Sequence, residues 1–170
     1  MSLFTPNYYS KSIYTVPIDF YIKNNFKVIF CDLDNTLEAF YNEEPSDRAK
    51  ELLDQLRRHN IKLFVISNNR ESRVKKYAEM LGVEYHHSSK KPFGFKLRKY
   101  IKRNNLNRNE IIMVGDQILT DVIASKNVKV KVILTEPLVN KDLLVTKINR
   151  FIDKIIRRII IKKLKRLEVD

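Results

Sequence analysis

Two aspartates one residue apart, Asp32 and Asp34 in Asp32-Leu33-Asp34-Asn35-Thr36, follow directly on the apolar run Val28-Ile29-Phe30-Cys31. Such a run reads as a buried strand, and in an extended chain of period two residues 32 and 34 fall on the same side. Two carboxylates delivered together suit phosphoryl transfer, because one can attack phosphorus while the other handles protons. Asp and Asn also end strands as turn formers, so the pattern gains its weight from three further segments. Val65-Ile66 closes another apolar run with Ser67-Asn68-Asn69, Lys90-Lys91-Pro92 follows, and Ile111-Ile112-Met113-Val114 delivers Gly115-Asp116, with Asp121 five residues beyond.

The elements that must carry these residues can be read along the chain. Lys27–Cys31 is expected as a strand. Pro45-Ser46 opens a helix whose Ala49, Leu52, Leu53 and Leu56 recur at helical spacing and which ends at His59-Asn60. Residues 61–66 form the next strand, Val74, Tyr77, Ala78 and Leu81 a helix stopped by Gly82, and residues 83–86 a short strand. Leu97, Tyr100 and Ile101 mark another helix, Ile111–Val114 a strand and residues 118–126 a helix. Val128, Val130 and Val132 alternate with Lys129 and Lys131 as a fifth strand. This alternation predicts an α/β, Rossmann-like three-layer fold with a mostly parallel sheet of about five strands, whose ligands bind outside the carboxyl ends of the strands. Between Thr36 and Ile61, and between Asn69 and Lys91, there is room for a loop, a helix or a short strand, but for no cap domain. The chain is expected to form one unit over residues 1–170, with an aromatic N-terminal arm over 1–26 and a basic amphipathic C-terminal helix over 141–167.

The four segments, in this order, resemble the motifs of the haloacid dehalogenase superfamily of phosphatases. DLDNT, VISNN, KKPFG, GDQILTD and the basic tail from Lys147 resemble its class IIIA YqeG family, itself similar to the mitochondrial phosphatase acting on phosphatidylglycerophosphate. The resemblance covers nearly the whole chain. It implies that Asp32 attacks phosphorus to give an aspartyl-phosphate, that Asp34 serves as acid and then as base, and that Ser67, the Asn68 backbone amide and Lys91 hold the phosphate. It implies Mg2+ bound by Asp32 and Asp116 with the Asp34 backbone carbonyl. Thr36 and Asp121 are supporting residues, Asp121 bracing the metal shell or orienting Lys91. Lys91 is preferred to Lys90 for its place before Pro92. Ser125-Lys126-Asn127-Val128 departs from the family, where glycines are expected, in a way that touches loop geometry rather than catalysis.

Composition bears on where such an enzyme would act. With 170 residues, 44% hydrophobic, a proper core is expected, and the single Cys31 suits a reducing cytoplasm and buried strand packing. No run approaches the roughly 20 apolar residues of a membrane span, and no secretory leader is visible, so the protein is expected to be neither secreted nor integral. His86 and His87 lack a spaced third ligand, which argues against zinc. The net charge of +13 suits an anionic partner, but aromatics are not interleaved with basic residues as in a nucleic-acid module. Ile148, Phe151, Ile152, Ile155, Ile156 and Ile159 form an apolar stripe among lysines and arginines, which reads either as an interfacial helix on anionic lipid or as a final helix packed on the sheet. The resemblance implies a phosphorylated lipid head group, phosphatidylglycerophosphate, as the substrate, which a cytoplasmic, peripheral enzyme is expected to meet at the inner face of the membrane. The alternatives are a phosphatase for a nucleotide, protein or nucleic-acid end, or a non-catalytic RNA- or ribosome-binding protein.

Overall fold

The computed structural model describes residues 3–139 and Arg157, so the expected C-terminal helix over 141–167 lies, Arg157 apart, outside the described residues. Among the described residues short apolar runs become six strands: β1 (Tyr8–Ser10), β2 (Val28–Cys31), β3 (Lys62–Ile66), β4 (Glu84–His86), β5 (Ile111–Gly115) and β6 (Lys131–Thr135). They form one sheet in the order β1-β6-β5-β2-β3-β4, with every neighbouring pair parallel. The central β2 and β5 are buried at every position, which is why they read as continuous apolar runs rather than alternating ones.

Over residues 3–139 five α-helices cover the sheet: α1 (Ile18–Lys23), α2 (Asp47–Arg58), α3 (Glu71–Leu81), α4 (Phe95–Arg103) and α5 (Ile123–Val128). Strand parity sorts the core into two layers. Ile29 and Cys31 face the side where α2 buries Leu52, Leu53 and Leu56 and α3 buries Val74, Tyr77 and Leu81. Phe30, Phe64 and Ile66 face the other, against Leu97 and Ile101 of α4 and Ala124 of α5. Each leucine so covered contributes roughly 1.5–3 kcal/mol of transfer free energy, which stabilises helices whose outer faces are charged. Gly82 stops α3 in the left-handed conformation, φ 72°, which glycine adopts without a Cβ penalty.

The sheet has six strands rather than about five because the aromatic arm supplies one: Tyr8–Ser10 pairs with Ile133–Thr135 at the sheet edge. Ile13, Val16, Tyr21 and Phe26 then join the core, and Tyr8 stands edge-on to Phe20 at 4.9 Å, so these side chains pack inward. The alternating valines mislead. Val128 closes α5, Lys129 turns the chain at φ 59°, and the strand begins only at Lys131, with Val132, Ile133 and Leu134 consecutively buried. Ser125–Val128 is therefore helical rather than a loop, and a helix end followed by a turn imitated period two. The helix expected over 118–126 is divided into a π-helical turn, Ile118–Val122, and α5. No cap domain is inserted among the described residues, and no helix among them is long and apolar enough to cross a membrane.

Candidate active site

Cys31 of β2 lies opposite Val65 of β3 and Val114 of β5, so Asp32, Ser67 and Asp116 emerge from the carboxyl ends of three adjacent strands. The chain runs outward from β2 through β3 to β4, then crosses to β5 and β6 on the other side. This reversal opens a crevice between β2 and β5, beside Asp32 and Asp116, where α/β sheets bind ligands.

Beyond Cys31 the strand does not continue. The Asp32 amide still donates to Val114 O at 2.9 Å, but Leu37 N donates back to Asp32 O at 3.3 Å and Glu38 N to Leu33 O at 2.9 Å. Leu33 and Leu37 are fully buried and anchor this turn, and Asn35 takes φ 68°, which asparagine tolerates. Glu38, also fully buried, accepts from the amides of Ala39 and Ser46 at 3.2 and 2.9 Å and from Tyr77 OH at 3.3 Å. Burial pushes its carboxyl up, but the hydrogen bonds from Ser46, Asn42 and Ala39 prevail and hold it below the usual range. The two motif aspartates are consequently not carried side by side on an extended strand: the turn sends their carboxylates to different partners.

Lys91, on the loop before α4, crosses the crevice. Its ammonium donates to Asp32 Oδ1, to Asp121 Oδ1 at 2.7 Å and to Ile66 O at 3.3 Å. Lys90 is exposed. Ligand atoms of Asp32, Asp116 and Asp121 lie within 4.8 Å of one another, and Thr36 Oγ1 donates to Asp116 Oδ1 at 3.2 Å. Three buried carboxylates thus face one ammonium within the cluster, an imbalance that a divalent cation with hard oxygen ligands would correct. Burial raises the Asp32 carboxyl well above its ordinary value, the Lys91 charge opposes this, and the neighbouring Asp121 and Asp116 add to it. For Lys91 burial works downward, but Asp121 and Asp32 outweigh it and the pKa rises.

Ser67 is buried, its Oγ accepting from the Asn69 amide at 3.0 Å. The Asn68 side chain grips the Lys91 main chain twice, accepting from its amide at 2.8 Å and donating to its carbonyl at 3.1 Å. Asp34 turns the other way: Oδ2 accepts from Asn69 Nδ2 at 3.1 Å, and Oδ1 accepts from Arg73 Nε and Nη2 at 3.2 and 2.9 Å. The structure therefore gathers Asp32, Thr36, Lys91, Asp116 and Asp121 into one cluster, with the Asn68 side chain anchoring the lysine, and sets the Asp34 carboxylate on its flank.

Gly115 holds the cluster open, since a Cβ there would overlap the carboxylate and Cβ of Asp121. Gly115→Ala is expected to displace Asp121 and with it Lys91, costing roughly 1–3 kcal/mol in a urea melt as overpacking does. Phosphate release should fall with it, and wild-type stability together with wild-type turnover would refute the close fit. Arg157 Nη2 donates to Asp116 O and, at 2.9 Å, to Thr135 O, so at this residue the C-terminal segment is tied to the carboxyl edge of the sheet.

Sequence reasoning missed Asn69, Arg73 and Arg157 and the anchoring role of the Asn68 side chain. Arg73 sits on the first turn of α3, one turn before the buried Tyr77, where a basic residue ordinarily signals a solvated face; only the fold brings it to Asp34. The VISNN stretch could have pointed to Asn68 and Asn69, since consecutive amides at a strand end commonly organise a loop.

Residues 18–135 match the family described as haloacid dehalogenase-like hydrolase. The probable phosphatase YqeG of Bacillus subtilis (strain 168) is 31% identical over 151 residues, spanning 89% of this chain and 88% of that protein. Among solved structures, a protein named "putative 3-deoxy-D-manno-octulosonate 8-phosphate phosphatase" from Vibrio cholerae has a TM-score of 0.55 at 15% identity, covering 69% of this chain and 71% of that one. An uncharacterized protein from Listeria monocytogenes serotype 4b has a TM-score of 0.53 at 16% identity, covering 69% and 85%. At such identities the two structures share the fold.

Proposed function

Since the chain belongs to the haloacid dehalogenase-like hydrolase family and is a phosphatase, we propose that it hydrolyses a lipid phosphomonoester, phosphatidylglycerophosphate, through an aspartyl-phosphate on Asp32. The observation that carries the chemistry is the buried Lys91 reaching Asp32 and Asp121 beside Asp116. An Asp32 oxygen attacks phosphorus, the ester P–O bond breaks, and the leaving oxygen takes a proton from Asp34. Asp34, now a carboxylate, removes a proton from water whose oxygen attacks the same phosphorus, and the Asp32–phosphorus bond breaks to release phosphate. Ser67 and the Asn68 amide donate to the phosphoryl oxygens, and the Lys91 ammonium balances their charge. Asp32, Asp116 and the Asp34 carbonyl would hold Mg2+, with Asp121 close by. That ion supplies charge neutralisation between an anionic nucleophile and an anionic substrate.

The lipid reading is supported by a crevice with no inserted cap among the described residues, which leaves it open to a bulky ester, and by the resemblance of the DLDNT, VISNN, KKPFG and GDQILTD motifs to a family similar to the mitochondrial phosphatidylglycerophosphate phosphatase. The apolar stripe and cations of residues 148–166 would bring the enzyme to an anionic bilayer as a peripheral, cytoplasmic protein. The test is phosphate release from phosphatidylglycerophosphate in anionic mixed micelles, with Mg2+ and with chelator. Mg2+-dependent release supports the proposal. Hydrolysis of soluble esters alone would sink the lipid substrate and leave the chemistry standing.

A further inference from the structure

Asp34, on the flank of the cluster, adjoins a cavity of about 450 Å³ through the two residues that bond it, Asn69 and Arg73. Arg70 and Lys76 line the same cavity, with Phe40 and Ser72 completing its wall. Three cationic side chains thus surround this space against one carboxylate, Glu43, which pairs with Lys76 at 2.6 Å. Arg70 has no ion-pair partner among the described residues, and Arg73 is held rather than solvated: its side chain is 18% exposed, with Nη1 donating to Asn42 O at 2.6 Å.

A neutral alcohol gains nothing from such a lining, whereas an anion gains charge-assisted hydrogen bonds from planar guanidinium forks. We propose that this cavity receives a second anionic group, a phosphodiester, carried on the leaving alcohol a few bonds from the ester being cleaved. The inference rests on the phosphatase reading above and defines the substrate class of that same site. It assigns Arg73 two partners. A carboxylate oxygen that accepts two bonds from a guanidinium is badly placed to give a proton to a leaving oxygen, and a phosphodiester competing for Arg73 draws it off Asp34. Recognition of the second anion and presentation of the acid are then one event, and a simple alkyl phosphate forgoes both.

Three soluble esters test this with no bilayer present: glycerol 3-phosphate, the phosphate monoester of glycerophosphoglycerol, and that monoester with its internal diester methylated to a neutral triester. The ratio of kcat/KM for the charged ester over its methylated form should be roughly 10- to 100-fold in the wild type, the worth of a charge-assisted hydrogen bond. It should fall at least about threefold in Arg73→Gln and in Arg70→Gln and approach one in the double variant, and because it is a ratio, partial misfolding does not move it. The lipid itself, assayed in parallel, separates recognition of the diester from attraction to a bilayer. Calorimetric binding of the same esters to the Asp32→Asn protein reads the pocket without turnover. A charge preference that depends on Arg70 and Arg73 in binding but accompanies no hydrolysis by the wild type would overturn the phosphatase reading and leave the pocket. A wild-type ratio near one, or a preference unaffected by both arginines, overturns the pocket.

Discussion

Asp32→Asn is expected to abolish Mg2+-dependent phosphate release, by about 10⁴-fold or more as for other single nucleophile or triad losses, while leaving the protein at least as stable as the wild type. Both effects come from one environment. Burial raises the pKa of the carboxylate that would attack phosphorus well above the ordinary range; Lys91 opposes this and the neighbouring Asp121 and Asp116 add to it. In the unfolded chain Asp32 ionises near pH ~3.9. Above that pH the folded protein without bound cation holds a proton that the unfolded chain has released, and stability declines as pH rises toward the folded pKa. Asparagine escapes this, so its thermal-melting advantage should be absent below about pH 4 and grow upward from there, shrinking again when Mg2+ is added to the wild type. Retention of more than about 1% of wild-type turnover would move the nucleophile elsewhere, since a general acid–base contribution alone is worth only about 10²–10⁴.

The largest loss of stability should come from Lys91→Met, which keeps the length of the side chain and removes its charge. The Lys91 side chain is 2% exposed, and its ammonium binds Asp32, Asp121 and the Ile66 carbonyl. Its removal leaves two carboxylates confined with a third and no ammonium among them, and breaking a buried pair from one side costs about 3–5 kcal/mol. Urea denaturation at neutral pH is the measurement. Lys90→Met, one residue earlier on an exposed side chain, should stay within about 0.5 kcal/mol. Adding Asp121→Asn to Lys91→Met should recover at least about 1 kcal/mol, because the second change removes the charge that the first left uncompensated. Equal midpoints for Lys91→Met and Lys90→Met would show that the lysine does not hold the cluster together.

What could be read beforehand divides along a physical line. The continuous apolar runs of β2 and β5, the spacing of Leu52, Leu53 and Leu56, and Gly82 after α3 are local signals, and they mark their elements correctly. Asp32, Lys91, Asp116 and Asp121 were legible together because each follows or adjoins such a marked element in a characteristic order. The direction of Asp34 was not, because it depends on a turn whose closure relies on the burial of Leu33, Leu37 and Glu38 rather than on strand parity. Arg73 meets Asp34 across 39 residues, and no local periodicity carries that separation. The start of β6 was misplaced because Val128 and Val130 alternate with lysines at a helix end, while the true strand, buried at Val132, Ile133 and Leu134, does not alternate at all.

The pairing of β1 with β6 also bears on how this chain assembles in time. Tyr8–Ser10 is made long before Ile133–Thr135, its one strand partner among the described residues, and Tyr9 bonds Glu136 across 127 residues. Closing a loop of that size must precede any reward from the contacts it makes, so the edge should be laid down late, after the β2–β5 centre has condensed. A nascent chain still short of Thr135 would carry Tyr8–Ser10 unpaired, an apolar segment open to other strands and to chaperones. Pulse-labelled hydrogen exchange during refolding should find the β1–β6 amides protected after those of β2, β3 and β5, and simultaneous protection would mean that edge and centre form in a single step.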